Sequence, residues 1–482
     1  MLRRTKIVAT LGPACDDPEV LEKMIVAGVD VVRLNFSHGQ PEDHKARAEK
    51  VRELADKHQR TVAVLGDLQG PKIRIARFKE KSITLAVGDV FTLDAGLDTN
   101  AGDQQQVGID YKELPEDCAV GDRLLLDDGR VIFDVTGIEG KRVHCVVTVG
   151  GALSNNKGIN RQGGGLSAPA LTEKDMRDIK LAAELNVDFL AVSFPRSADD
   201  INVARKLINE AGSHAAIVAK IERAETVQDL TILDEIIEAS DVLMVARGDL
   251  GVEIGDAELI GVQKQIISRS KMQGKTVITA TQMMESMISS PLPTRAEVFD
   301  VANAVLDGTD AVMLSGETAA GEFPVETIEA MCRVILGAER HYGTRSTNTL
   351  PAGEFASIDE SIAHAVMYAA NHLQGVKAII CMTESGTTPR LMSRISSNLP
   401  IFAFTPRLDT QARVVLCRGV HPVPFDIGEL PPEKINLSAV DQLVQLGEVE
   451  RGDLVLISKG DYVNVHGGTN TLKIVRVGDD IH

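Results

Sequence analysis

Lys220 and Glu222 stand two residues apart at the end of an apolar run. On a strand of period two their side chains share one face. A second carboxylate, Asp249, closes the next apolar run. Two hard carboxylates facing one site suit Mg2+, whose remaining positions go to water and substrate oxygens. An ammonium beside them lets cation and metal grip the same phosphoryl group. Arg33, in the run Arg-Leu-Asn-Phe-Ser-His-Gly, adds a planar fork for phosphate. Asn35, Ser37, His38, Asp67, Arg247, Gly248, Thr281, Ser315 and Glu317 close other apolar runs in the same way. The glycines and acid of Ala246–Gly251 offer free backbone N–H groups to a carboxylate or phosphate. Read structurally, the same residues are a strand-end ion pair and a tight turn. Complementary polar groups ending six separate runs favour the chemical reading.

Such groups need elements to hold them. Short Val/Ile/Ala/Leu runs of parallel-sheet type recur at Lys6–Leu11, Val29–Phe36, Val62–Gly66, Val187–Phe194, Ala215–Ile221, Asp241–Val245, Thr276–Ala280 and Asp310–Leu314. Helical stretches separate them, which predicts an α/β chain closed as a (β/α)8 TIM barrel with chemistry at the strand ends. Between the third and fourth runs the texture changes to alternating Val/Thr/Leu with Gly and Asp turns, at Ser82–Leu93, Arg123–Val135 and Lys141–Val149. This predicts an inserted β-barrel lid domain over residues 71–168, splitting a catalytic barrel of 1–70 and 169–345. The Thr-, Gly- and Pro-rich stretch Gly343–Ser357 reads as a linker, and 346–482 as a C-terminal α/β domain. There the loop from Thr383 to Arg390 joins a strand to a helix and offers hydroxyls to a phosphate, or simply caps the helix. Thr294 and Glu297 form a capping box, which is structure before function.

Composition narrows the ligands. The net charge of −18 repels nucleic acid and anionic lipid, so an anionic substrate must be drawn by local Arg and Lys. No Trp and 3% aromatic residues argue against stacking on bases. The opening apolar run is too short for a signal peptide or a membrane span, which gives a cytoplasmic reading. Six scattered cysteines without metal spacing read as buried thiols.

With TKIVATLGPA, VVRLNFSHG, GPKIR, KIER, ARGDLGVE, TATQMMESM, PTRAEVFDVANAVLDG and DAVMLSGETAAGEFP in order, the chain resembles pyruvate kinase nearly end to end. The resemblance implies transfer of the phosphoryl group of phosphoenolpyruvate to ADP, giving ATP and pyruvate. It implies Glu222 and Asp249 as Mg2+ ligands, with Mn2+ an alternative ion, and Lys220 as the cation on the moving phosphoryl group. Arg33 would contact that group, Arg74 and Lys157 the nucleotide phosphates, and Asn35, Phe36, Ser37 and His38 the nucleotide side. The backbone at Gly248 and Asp249 would hold the enolpyruvate carboxylate, and Thr281 would lie close to the enol carbon.

One position departs from many members of the family. They bind K+ with groups matching Asn35, Ser37 and Asp67, and carry Glu where this chain has Lys72. The run Asp67–Lys72 resembles the subset in which an ammonium replaces the ion, so K+ is expected not to be required. The family resemblance also implies a homotetramer and an allosteric effector, a sugar monophosphate or AMP in preference to a bisphosphate, at Thr383, Ser385, Gly386, Thr387 and Thr388. Two other functions fit some of the residues: a metal-dependent lyase or aldolase acting on pyruvate enolate, and an inactive sensor of phosphorylated sugars. The cations Arg74 and Lys157 argue against the first, and the complete set Lys220, Glu222, Asp249 and Thr281 against the second.

Overall fold

The computed structural model describes residues 2–341, 355–428, 430–461 and 468–479, so residues 343–354 of the expected linker lie outside it. Eight parallel strands carry the architecture: Lys6–Thr10 (β1), Val31–Asn35 (β2), Ala63–Asp67 (β3), Phe189–Val192 (β4), Ala216–Ile221 (β5), Val242–Ala246 (β6), Thr276–Ala280 (β7) and Ala311–Leu314 (β8). They close as one barrel in sequence order, β1 pairing β2 and β8. Nearly every residue of these strands is buried, because helices cover one face and facing side chains fill the other. That two-sided burial is why the strands read as unbroken apolar runs.

The chain divides into two compact units. One comprises Met1–Gly66, Leu185–Phe189 and Ile267–His482, the other Asp67–Glu184 and Leu190–Ile266. The second contains the β-rich insertion. Its six-stranded sheet runs in the order Ile159–Arg161, Arg123–Leu126, Val131–Glu139, Arg142–Val149, Val90–Asp94, Gln106–Gly108, and a two-stranded sheet pairs Ser82–Leu85 with Gly151–Ser154. Apolar side chains between Ile73 and Ala168 form a core of their own. Of the expected strands, Ser82–Leu93 holds two strands that belong to different sheets, and Arg123–Val135 is a hairpin. Arg123–Leu126 turns into Val131–Glu139 through Asp127 and Asp128, at φ 50 and 56, and such left-handed residues match the twist of the flanking strands.

In the first unit the C-terminal region is a five-stranded sheet of Val376–Met382 (β9), Ile401–Thr405 (β10), Val420–Pro424 (β11), Leu454–Gly460 (β12) and Thr469–Arg476 (β13). Its order is β11, β10, β9, β12, β13, with β13 antiparallel. The pattern reading places no strand between Cys417 and Ser438, yet β11 lies there. Its sequence, Val-His-Pro-Val-Pro, hides it, because proline lacks the ladder donor and is tolerated at an edge. The helices there are Thr387–Ser393 and Ile435–Gln445, where the pattern gave Pro389–Ser397 and Ser438–Leu446. Helix ends shift in this way because the last turns fray.

Local signals account for several boundaries. Asp17 accepts from the Glu19 amide ahead of Pro18, which starts helix Pro18–Ala27. Thr294 and Glu297 exchange bonds at the start of Arg295–Asp307, and Glu297 also accepts from Ser286, so the capping box ties two loops together. All six cysteines are free, and all but Cys332 are buried. Among the described residues no helix is long and apolar enough to cross a membrane.

Candidate active site

In the second unit the ends of four strands present one charged cluster. Lys220 lies in β5, and its Nζ is 3.0 Å from Glu222 Oε1, 3.4 Å from Asp67 Oδ1 and 2.7 Å from Ser193 Oγ. Glu222 is 2% exposed and Asp67 fully buried, so one ammonium serves two carboxylates out of reach of water. The second oxygen of Glu222 accepts from the Phe194 amide at 2.8 Å. Asp249 falls in the first turn of helix Arg247–Ile254, directly after β6, with the Lys72 ammonium 3.1 Å from its Oδ1.

The electrostatics of Glu222 show what the cluster lacks within the protein. Burial pushes its carboxyl up to about 7; Lys220 opposes that shift, while Asp249 and Asp67 add to it. Carboxylates that repel one another across a buried site are relieved by a cation between them. Among the described residues no group of three or more His, Cys, Asp or Glu side chains forms a metal cage. One or two carboxylates, with the remaining positions taken by water and substrate oxygens, are instead the donor set Mg2+ commonly takes. The residues present fit that ion.

Backbone geometry holds the cluster tight. Gly70 has φ +66, and a Cβ there would sit 2.6 Å from the Ser193 Cβ, so only glycine lets this loop lie against the serine that binds Lys220. Its amide donates to Asp175, which is fully buried. Phe194 adopts φ 54, a left-handed value that costs a bulky residue about 1–3 kcal/mol and recurs where function fixes the backbone.

Arg74 and Lys157 come together at the base of the insertion. Arg74 bridges to Gly158 and the Ile75 amide donates to the Lys157 carbonyl at 2.9 Å. Lys157 pairs with Asp127 at 2.8 Å, while Arg74 Nη1 donates to the Asn156 carbonyl.

In the first unit Arg33 is buried, and its Nη1 donates to Thr10 Oγ1 at 3.1 Å. Asn35 Oδ1 accepts from the Ser37 amide, fixing the turn that leaves His38 exposed. The Phe36 ring is packed edge-on to His44 and against Gly66, so this residue offers a ligand its backbone alone. Thr281 and Gln282, just past β7, hold φ 68 and 56, a second strained strand end. Glu317 accepts from the Ser315 and Met284 amides, which makes it a structural brace. In the C-terminal region Thr383 Oγ1 accepts from the Gly386 amide, Ser385 and Thr387 share a hydrogen bond at 3.0 Å, and Thr388 bonds Thr469.

Sequence reasoning took polar groups from the ends of six strands and passed over Thr10, Ser193 and Asp175. The same strand-end rule, applied to β1 and β4, finds the first two. Asp175 had a local signal in Thr172, whose amide and hydroxyl both donate to it as a helix start.

Comparison with known proteins follows the same lines. The profile "Pyruvate kinase, barrel domain" matches residues 2–328, and "Pyruvate kinase, alpha/beta domain" matches residues 360–475. The chain is similar to pyruvate kinase II of Salmonella typhimurium, 59% identical over 476 residues and 99% of each chain. It is also 59% identical to a pyruvate kinase of Haemophilus influenzae, over 95% of this chain and 96% of the other. A crystal structure of a pyruvate kinase from Cryptosporidium parvum superposes with a TM-score of 0.90 at 34% identity, covering 98% of this chain and 96% of that one.

Proposed function

The chain belongs to the pyruvate kinase family of phosphotransferases, and from that premise we propose that Lys220, Glu222 and Asp249 are the centre at which the phosphoryl group of phosphoenolpyruvate passes to ADP. Family membership removes the lyase and sensor readings. The observation that carries the assignment is the single ammonium of Lys220 within 3.4 Å of Glu222, Asp67 and Ser193. Phosphoryl transfer asks little covalent chemistry of a protein and much positioning and charge neutralisation. Lys220 supplies fixed positive charge for the phosphoryl oxygens, and Arg33 a fork for the same group. Glu222 and Asp249 would hold Mg2+, or Mn2+, and that ion when bound supplies neutralisation of phosphate charge. The start of helix Arg247–Ile254, at Gly248 and Asp249, receives the enolpyruvate carboxylate. Thr281 stands near the enol carbon, where a proton must arrive. Arg74 and Lys157 take the nucleotide phosphates, and residues 35 to 38 the nucleotide side. ATP formation from phosphoenolpyruvate and ADP, followed by a coupled assay with Mg2+ and with Mn2+, tests the reading; no ATP with either ion would refute it.

Lys72 replaces a dissolved monovalent cation. The support is its ammonium, a fixed positive charge held at the cluster 3.1 Å from Asp249. Turnover is expected to be unchanged when Na+ or an organic cation replaces K+, and a strong activation specific to K+ would refute this role.

Regulation and assembly extend the same reading. The loop of Thr383, Ser385, Gly386, Thr387 and Thr388 receives a phosphorylated effector, a sugar monophosphate or AMP, which would shift the phosphoenolpyruvate saturation curve. Leu292 and Phe299 are 66% and 76% exposed, apolar surface of the kind a homotetramer would cover.

A further inference from the structure

Glu253 makes connections to which phosphoryl transfer assigns no role. It lies one helical turn beyond Asp249 on Arg247–Ile254 and is 5% exposed. Its Oε2 accepts from the Ala224 amide at 2.8 Å, two residues past Glu222. Its Oε1 meets Asn160 Nδ2 in a long contact of 3.5 Å, and its backbone carbonyl accepts from the Gly163 amide at 3.0 Å. Three segments therefore meet at one side chain: the helix bearing Asp249, the loop bearing Glu222, and the limb of the insertion that follows Lys157.

That limb is built to bend. Gly163, Gly164 and Gly165 hold φ values of 83, 78 and 90 in succession, all in the region that favours glycine. A Cβ on Gly164 would lie 1.9 Å from Glu225 Oε2, and one on Gly165 would lie 2.3 Å from Arg161 Nη1. At Gly163 nothing lies near a Cβ, so the backbone conformation, shared by all three residues, is what favours glycine there. Three positions before Gly163, Asn160 sits in a short strand paired to Arg123–Leu126. Asn160 thus lies in the strand that leads into the glycine run, and the long contact with Glu253 is made there. Burial pushes the Glu253 carboxyl up to about 7, with Glu225 adding to the shift and Arg223 opposing it, so the acid is kept at a cost.

We propose that Glu253 is a positioning residue that locks the loop of Glu222 and the helix of Asp249 in register with the limb carrying Lys157. The spacing of the two carboxylates and the posture of the nucleotide-binding cations then change together. This rests on the assignment of Glu222 and Asp249 to the metal and of Lys157 to the nucleotide.

Amide hydrogen exchange on the full-length protein without ligands, together with steady-state kinetics, tests it. Glu253→Ala is expected to speed exchange at Ala224 and across residues 159–165, and to raise the KM for ADP about tenfold, as loss of a supporting shell typically does. The KM for phosphoenolpyruvate, whose carboxylate is assigned to the Gly248–Asp249 backbone, rises as well but by less. Glu253→Gln keeps an acceptor for the Ala224 amide and should restore both readouts. Should Glu253→Ala not fold, Asn160→Ala removes the grip on the limb alone and must raise exchange across 159–165 and the KM for ADP in the same direction. Equal rises in both KM values, a fall in kcat alone, or unchanged exchange in a folded variant would overturn the proposal. Exchange is read without substrate, so its outcome stands apart from the proposed function, which fails instead if the parent protein makes no ATP.

Discussion

Replacing Lys220 by Met is expected to lower kcat about a thousandfold, close to 4 kcal/mol of transition-state stabilisation. Its ammonium reaches Glu222 and Asp67 together, at 3.0 and 3.4 Å, and both carboxylates are buried. Methionine keeps the length of the side chain and removes the charge, so packing survives while the charge facing the phosphoryl group does not. Arg at this position would not be a conservative rescue, because its broad fork cannot occupy the space in which a compact ammonium meets Ser193 Oγ at 2.7 Å. Circular dichroism and thermal melting should show a folded variant. Turnover near that of the parent enzyme in such a variant would remove Lys220 from the chemistry and leave it a structural counter-ion.

Asp310→Ala is expected to destabilise the protein by about 3–5 kcal/mol, the cost of stripping one partner from a buried ion pair. Asp310 is 1% exposed and receives the Arg394 guanidinium through two hydrogen bonds, together with the Arg418 and Val277 amides, each at 2.9 Å. It joins the start of β8 to the C-terminal region, so its loss leaves Arg394 buried without its carboxylate. Burial alone would raise the acid, but Arg394 and the two amides outweigh it and hold the carboxyl below its usual range. The sign follows from linkage. A carboxyl depressed in the folded state contributes stability that is present above its unfolded value and is lost as pH falls through its folded one. The difference in urea midpoint between the parent protein and Asp310→Ala should therefore be full at neutral pH and should narrow below about pH 4, where the unfolded acid begins to bind its proton. A difference that holds constant down to the lowest pH at which the fold survives would mean that packing, and not the ion pair, carries the effect.

The two residues were unequally readable. Lys220 could be singled out before any coordinates, because a cation two positions from an acid at the end of a strand declares which face it shares. Asp310 could be recognised only as the first residue of an apolar run, since its partner Arg394 lies 84 residues away. Glu253 was invisible for the same reason: in sequence it is an acid in the turn after Asp249, and its meaning lies in Ala224 and Asn160. Lys72 illustrates a middle case. The motif gives only the expectation that it stands in for a monovalent cation, whereas its bond to Asp249 is seen in the fold alone.

By itself the chain of residues determined the eight apolar runs, their parallel order, the β-rich insertion and the strand ends where chemistry collects. Those features are local: burial on two faces writes an unbroken apolar run, alternation writes a half-exposed strand, and period two aligns Lys220 with Glu222. Only the tertiary structure decided which charges meet, that Ser193 and Asp67 complete the shell of Lys220, that Glu253 meets both the Ala224 amide and Asn160, and that β11 exists despite its prolines. Contacts between residues distant in sequence depend on register and packing, and a change of one residue in register moves every partner to the opposite face. No local pattern encodes that choice.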